Sequence, residues 1–160
     1  MAWKINYCWP VTSWAIVDYF LRPKPAYYAI KRELQPYTVG MTRKEHKKFA
    51  DGRSAAFFTI ETVLDVWGTN STLEAKKATL EVTAFNLHSP DWRERFTRDI
   101  TLAPNAATEL WTGTLPGQPQ RTKASEVPKT IIVSARLLDI DDGSVLGRYS
   151  NWCVWPSRRP

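Results

Sequence analysis

Hydrophobic positions recur along this chain with two different periods. Between positions 25 and 35, Tyr27, Ile30 and Leu34 stand three and four apart while Lys31, Arg32 and Glu33 occupy the rest of the wheel. That spacing predicts an amphipathic helix of about three turns. Pro25 suits its first turn, where a missing N–H costs no hydrogen bond, and Pro36 disfavours continuation past Gln35. Further along the period is two. Phe58, Ile60, Thr62, Leu64 and Val66 alternate with Thr59, Glu61, Val63 and Asp65, and the Gly68-Thr69-Asn70 cluster is expected to end the run. Leu80, Val82 and Ala84 form a second alternating set, and Phe96, Ile100 and Leu102 a third. A first strand is expected over 37–42, and others over 107–113, 129–138 and 144–150. Asp141-Asp142-Gly143 joins the last two, since an Asp-Gly pair readily takes positive φ. Residues 115–128, with three prolines, read as a long polar loop.

About seven short strands joined by turns predict a mainly β fold, an immunoglobulin-like antiparallel β-sandwich. With no Cys…Trp…Cys framework it is not an antibody-type domain. A length of 160 residues allows one domain, or one domain and a piece of another, and a 43% hydrophobic content is enough to bury a core. No stretch approaches the roughly 20 apolar residues of a membrane-spanning helix. Lys4, Asn6 and Pro10 interrupt the region where a signal peptide needs an apolar run, so an intracellular, cytoplasmic location is expected, with no membrane partner. Cys8 and Cys153 sit at opposite ends without metal-ligand spacing and read as free thiols.

Charge is unevenly placed: residues 1–53 hold ten Lys or Arg against four acids, and the remainder twelve of each. The basic run at 43–48 reads as a solvated loop between strands. Only Phe49 is available for base stacking and no nucleic-acid reading motif accompanies it, so a nucleic-acid partner is the disfavoured alternative. His46 and His88 lack a ligand spacing, and no metal or cofactor is expected. The segment 139–143 departs from a calcium loop and reads as a hairpin turn. Asn70-Ser71-Thr72 is a glycosylation sequon, usable only in the secretory pathway.

The front of the chain carries the candidate chemistry. Trp3, Trp9 and Trp14 fall within the first fourteen residues, in a segment with the form of a short strand, an aromatic-rich loop and then a helix, one βα unit. Indole faces accept the apolar face of a pyranose and Asn6 can bond its hydroxyls; the same rings also suit plain packing, and both readings stand at this point.

The run 3–19, Trp-Lys-Ile-Asn-Tyr-Cys-Trp-Pro-Val-Thr-Ser-Trp-Ala-Ile-Val-Asp-Tyr, followed by Arg22-Pro23-Lys24-Pro25-Ala26-Tyr27-Tyr28, closely resembles the β-mannosidases of glycoside hydrolase family two, in particular their fungal, intracellular-type branch. The likeness continues through Trp67-Gly68-Thr69-Asn70-Ser71-Thr72 and Ser134-Ala135-Arg136-Leu137-Leu138 to Arg148-Tyr149-Ser150-Asn151-Trp152. The resemblance implies that 1–35 are the last βα unit of a truncated (β/α)8 catalytic barrel, that 36–152 form the sandwich, and that 153–160 are an aberrant tail. It also implies that Trp3 lines the mannose subsite with Asn6 and Trp9 at its rim. No catalytic residue is expected in the chain: the two carboxylates of a retaining glycosidase lie on earlier barrel strands in this family, and neither Asp18 nor Glu33 is expected to replace them. The implied partners are β-mannosides or manno-oligosaccharides for the parent enzyme, and the remainder of the barrel. The alternative is a stand-alone carbohydrate-binding or interaction module with exposed N-terminal tryptophans.

Overall fold

A computed structural model describes residues 4–6, 8–11, 14–51, 54–123, 125, 126 and 128–152. Trp3 and the tail 153–160 lie outside them. The chain divides into two units, Met1–Pro36 and Tyr37–Pro160.

In the second unit the period-two segments become β1 (Tyr37–Asp51), β2 (Ser54–Asn70), β3 (Lys76–Asn86), β4 (Ser89–Leu102), β5 (Ala106–Thr114), β6 (Ile131–Asp139) and β7 (Val145–Trp152). They form a three-stranded sheet in the order β1-β2-β5 and a four-stranded sheet in the order β4-β3-β6-β7, with every pairing antiparallel. This is the expected mainly β sandwich. Its inner faces hold the residues that alternation selected: Leu64 and Val66 from one sheet meet Leu80, Val82, Leu102, Val133 and Leu137 from the other, all buried. Burying such side chains contributes roughly 1.5–3 kcal/mol each, the main force joining the sheets.

Several boundaries depart from expectation, each for a physical reason. Residues 43–48 are strand, not loop: in β1 they pair with Leu64 back to Thr59 of β2. The outward Lys44 and Lys48 each meet a cross-strand acid, while Arg43 turns inward and donates from Nη2 to the carbonyl of Ile131 at 2.7 Å. Alternation thus disperses a basic run over two faces. Gly68-Thr69-Asn70 closes β2 as its last three residues, still paired with Val39, Thr38 and Tyr37. A Cβ at Gly68 would come within 2.7 Å of Leu102 Cδ2, so the glycine admits a core leucine instead of breaking the strand. The stretch 115–128 stays loop but is not simply polar surface. Leu115 is buried, and Arg121 exchanges two backbone hydrogen bonds with Ile60, extending the edge of β2 beyond β5. Between β2 and β5 a bulge at Leu110 lets Leu110 and Trp111 both face the core, Trp111 lying 4.9 Å from the ring of Phe96.

In the first unit the helix α1 runs Pro25–Glu33, two residues shorter than expected. Leu34 leaves helical geometry at the C-cap, consistent with the restriction Pro36 places on its neighbourhood. Lys31 and Arg32 in its last turn complement the helix dipole. No residue of α1 is buried, and Leu34 is 78% exposed although the wheel places it on the apolar face. The short strand expected at the front is absent among the described residues. In its place Ile16 and Val17 donate to the carbonyls of Lys4 and Ile5, and Val17 bridges to Pro23.

Candidate functional site

Of the three front residues singled out, Asn6 and Trp9 are exposed, Trp9 at 72%. The described part of the unit does not gather them into a closed pocket. It displays instead an apolar surface: Trp14 is 86% exposed, and Ile5, Val11, Phe20 and Leu21 are exposed as well. A tight turn follows, in which Arg22 N–H and Nε donate to the two carboxylate oxygens of Asp18 at 2.9 and 2.7 Å. Leu21, at φ 61°, takes the left-handed region rarely open to a bulky side chain.

The carboxyl groups are arranged for structure. The Arg22 backbone N–H, with its guanidinium, holds Asp18 below its ordinary value, and Glu33 is bound by Arg32 Nε at 3.2 Å. Hydrogen bonds from Lys48 and Thr114 lower Glu61; Lys44 and Thr112 lower Asp65; Lys76 lowers Asp139. A general acid working near neutrality needs the opposite displacement, upward. Among the described residues no cluster of three His, Cys, Asp or Glu is placed to hold a metal ion. The 139–143 segment is a hairpin turn with Gly143 at φ 70°, and Asp139 is engaged by Lys76 Nζ at 2.6 Å.

The outer face of the β1-β2-β5 sheet carries a more ordered polar arrangement. Two ladders cross all three strands, each with lysine on β1, an acid on β2 and threonine on β5. In one, Lys44 Nζ lies 2.8 Å from Asp65 Oδ2 while Thr112 Oγ1 donates to Asp65 Oδ1 at 3.1 Å. In the other, Lys48 bonds Glu61, which also accepts from Thr114 Oγ1 at 2.8 Å. Each acid thereby has both oxygens satisfied, and the two lysines are already committed to carboxylates, which weakens a phosphate-binding role for the basic run. Beside the first ladder lies an open groove of about 440 Å³ whose apolar wall is Trp67. Sequence reasoning used Trp67 only for the resemblance. Its signal was present: it falls out of phase with Leu64 and Val66, and so must face outward with Asp65.

A protein-family model described as "Mannosidase Ig/CBM-like domain" matches residues 62–156. Beta-mannosidase B of Thermothelomyces thermophilus is 36% identical over 154 residues, covering 95% of this chain and 18% of that protein. Beta-mannosidase B of Aspergillus oryzae is 34% identical over 154 residues, covering 95% and 17%. Among solved structures, the beta-D-mannosidase of Dictyoglomus thermophilum superposes with a TM-score of 0.64 at 23% identity, over 94% of this chain and 15% of that one, a likeness of fold. The chain therefore spans under a fifth of the length of these relatives.

Proposed function

We propose, on the premise that this chain belongs to the Mannosidase Ig/CBM-like domain family, that it is the C-terminal part of a β-mannosidase acting on terminal non-reducing β-D-mannose residues. In this reading, residues 1–35 are the last βα unit of the barrel and the sandwich braces it. Trp3, Asn6 and Trp9 form part of the wall of the mannose pocket, the indoles packing on the pyranose face and the amide bonding a hydroxyl. Retaining hydrolysis needs two carboxylates about 5–5.5 Å apart, one as acid/base and one as nucleophile. Those belong to the remainder of the barrel, and no cofactor or metal enters the reaction.

The observation that carries the reading is the continuous match, over 95% of this chain, to proteins named beta-mannosidase B. The exposed apolar surface of the first unit supports it independently, because an α-helix of nine residues with nothing buried is marginal without neighbours. The test is a chimera in which this chain replaces the matching segment of the Thermothelomyces thermophilus enzyme. The chimera hydrolyses a chromogenic β-mannoside, and Trp9→Ala within it raises KM several-fold. A chimera that folds and keeps its own carboxylates yet lacks all mannosidase activity refutes the reading.

A further inference from the structure

We infer that the outer face of the β1-β2-β5 sheet is a non-catalytic binding groove for a neutral hexopyranose chain, with Trp67 as its stacking platform. The groove is built, not incidental. A Cβ at Gly40 would stand 2.7 Å from Cε2 and Cζ2 of Trp67 and 2.8 Å from its Nε1, so only glycine at that position of β1 allows the indole to lie down against the strand. The ring is only half-buried and lines the groove. A ring backed by main chain and open on the groove side is the geometry that stacks on the apolar face of a pyranose.

The surrounding groups suit hydroxyls. Thr42 and Glu109 line the groove together with the Lys44–Asp65–Thr112 ladder, whose hydrogen bonds fix that part of the wall. Charge selects for a neutral ligand: Lys44 is matched by Asp65, and Glu109 leaves an acidic excess that repels phosphates and carboxylates. A volume of about 440 Å³ falls within the range of small-ligand sites, roughly 300–1,000 Å³. The groove lies wholly within the sandwich, and the inference does not depend on the barrel reading.

Affinity electrophoresis of the 160-residue chain toward the cathode, in gels containing soluble galactomannan, hydroxyethyl cellulose or arabinoxylan, tests it. At least one of the two hexopyranose polymers retards the chain. Trp67→Ala weakens the retardation at least tenfold and Glu109→Ala, at an exposed position that leaves folding intact, several-fold. Trp9→Ala leaves it unchanged, which separates this groove from the proposed mannose pocket. Absence of retardation by both hexopyranose polymers, or retardation that Trp9→Ala abolishes while Trp67→Ala and Glu109→Ala preserve it, overturns the inference. A thermal melt of each variant identifies loss through unfolding, and in that event Glu109→Ala alone decides.

Discussion

Asn70 shows how much a single side chain can alter a sequence-level reading. As the first residue of a sequon it suggests glycosylation, yet it is 1% exposed, its Nδ2 donates to the Glu74 carbonyl at 2.7 Å, and its Oδ1 accepts from both N–H and Oγ1 of Thr72. The amide that would carry a glycan is the peg of the β2–β3 turn. Secretion from a glycosylating host should therefore yield a chain whose mass shows no glycan at Asn70. Asn70→Ala should cost about 1–3 kcal/mol in urea unfolding, because the buried amide's bonds to Thr72 N–H, Thr72 Oγ1 and the Glu74 carbonyl are lost together. Arg121 is comparable. It is 6% exposed, bonds Glu45 and the Glu126 carbonyl, and no period in the sequence distinguishes it from a surface arginine. Such residues were illegible because their roles depend on loop closure over a strand edge, which leaves no local pattern.

Elements were more legible. Alternation identified the inward residues of β2 and β3 correctly, since the pleat gives each residue one of two faces. What it understated was length. β1 continues through 43–51 and β2 through Gly68–Asn70, and the cross-strand Lys–acid–Thr ladders join the outer face of the sheet above the buried Ile60, Thr62, Leu64 and Val66. The ladders also give the fold an acid dependence. Glu61 and Asp65 titrate below their ordinary values of 4.5 and 3.8 in the folded state, each chiefly through its lysine hydrogen bond. The folded state then binds fewer protons than the unfolded chain, so this contribution is complete above those ordinary values and is lost as pH falls through the depressed ones. Lys44, raised by Asp65, has the opposite sense: its contribution holds below 10.5 and disappears only as pH rises through the higher folded value. A Lys44→Met, Lys48→Met double variant should unfold at lower urea than the wild type at pH 7, and the gap should narrow progressively as pH falls below 3.8. A gap that stays the same size as pH falls would assign the ladders no electrostatic role.

At the scale of the whole molecule, the two units differ in kind. The sandwich contains its own core between two sheets, with leucines from both faces fully buried. The first unit has a short helix with no buried residue and a row of exposed aromatic and aliphatic side chains. That contrast was foreshadowed in the sequence, where the helical period stops at Pro36 and the strand period takes over. For the proposed pocket residues Trp3, Asn6 and Trp9 the aromatic-rich pattern alone left sugar stacking and plain packing both open, and the resemblance is what favours the first. The proposed function requires that the first unit be completed by the rest of a barrel while the sandwich stands by itself.

Amide hydrogen exchange on the 160-residue chain and on the Thermothelomyces thermophilus chimera measures this most directly. In the chain alone, amides of 14–24 should exchange orders of magnitude faster than those of β2, β3 and β6, and in the chimera they should become protected. Equal protection of 14–24 in both would contradict the claim.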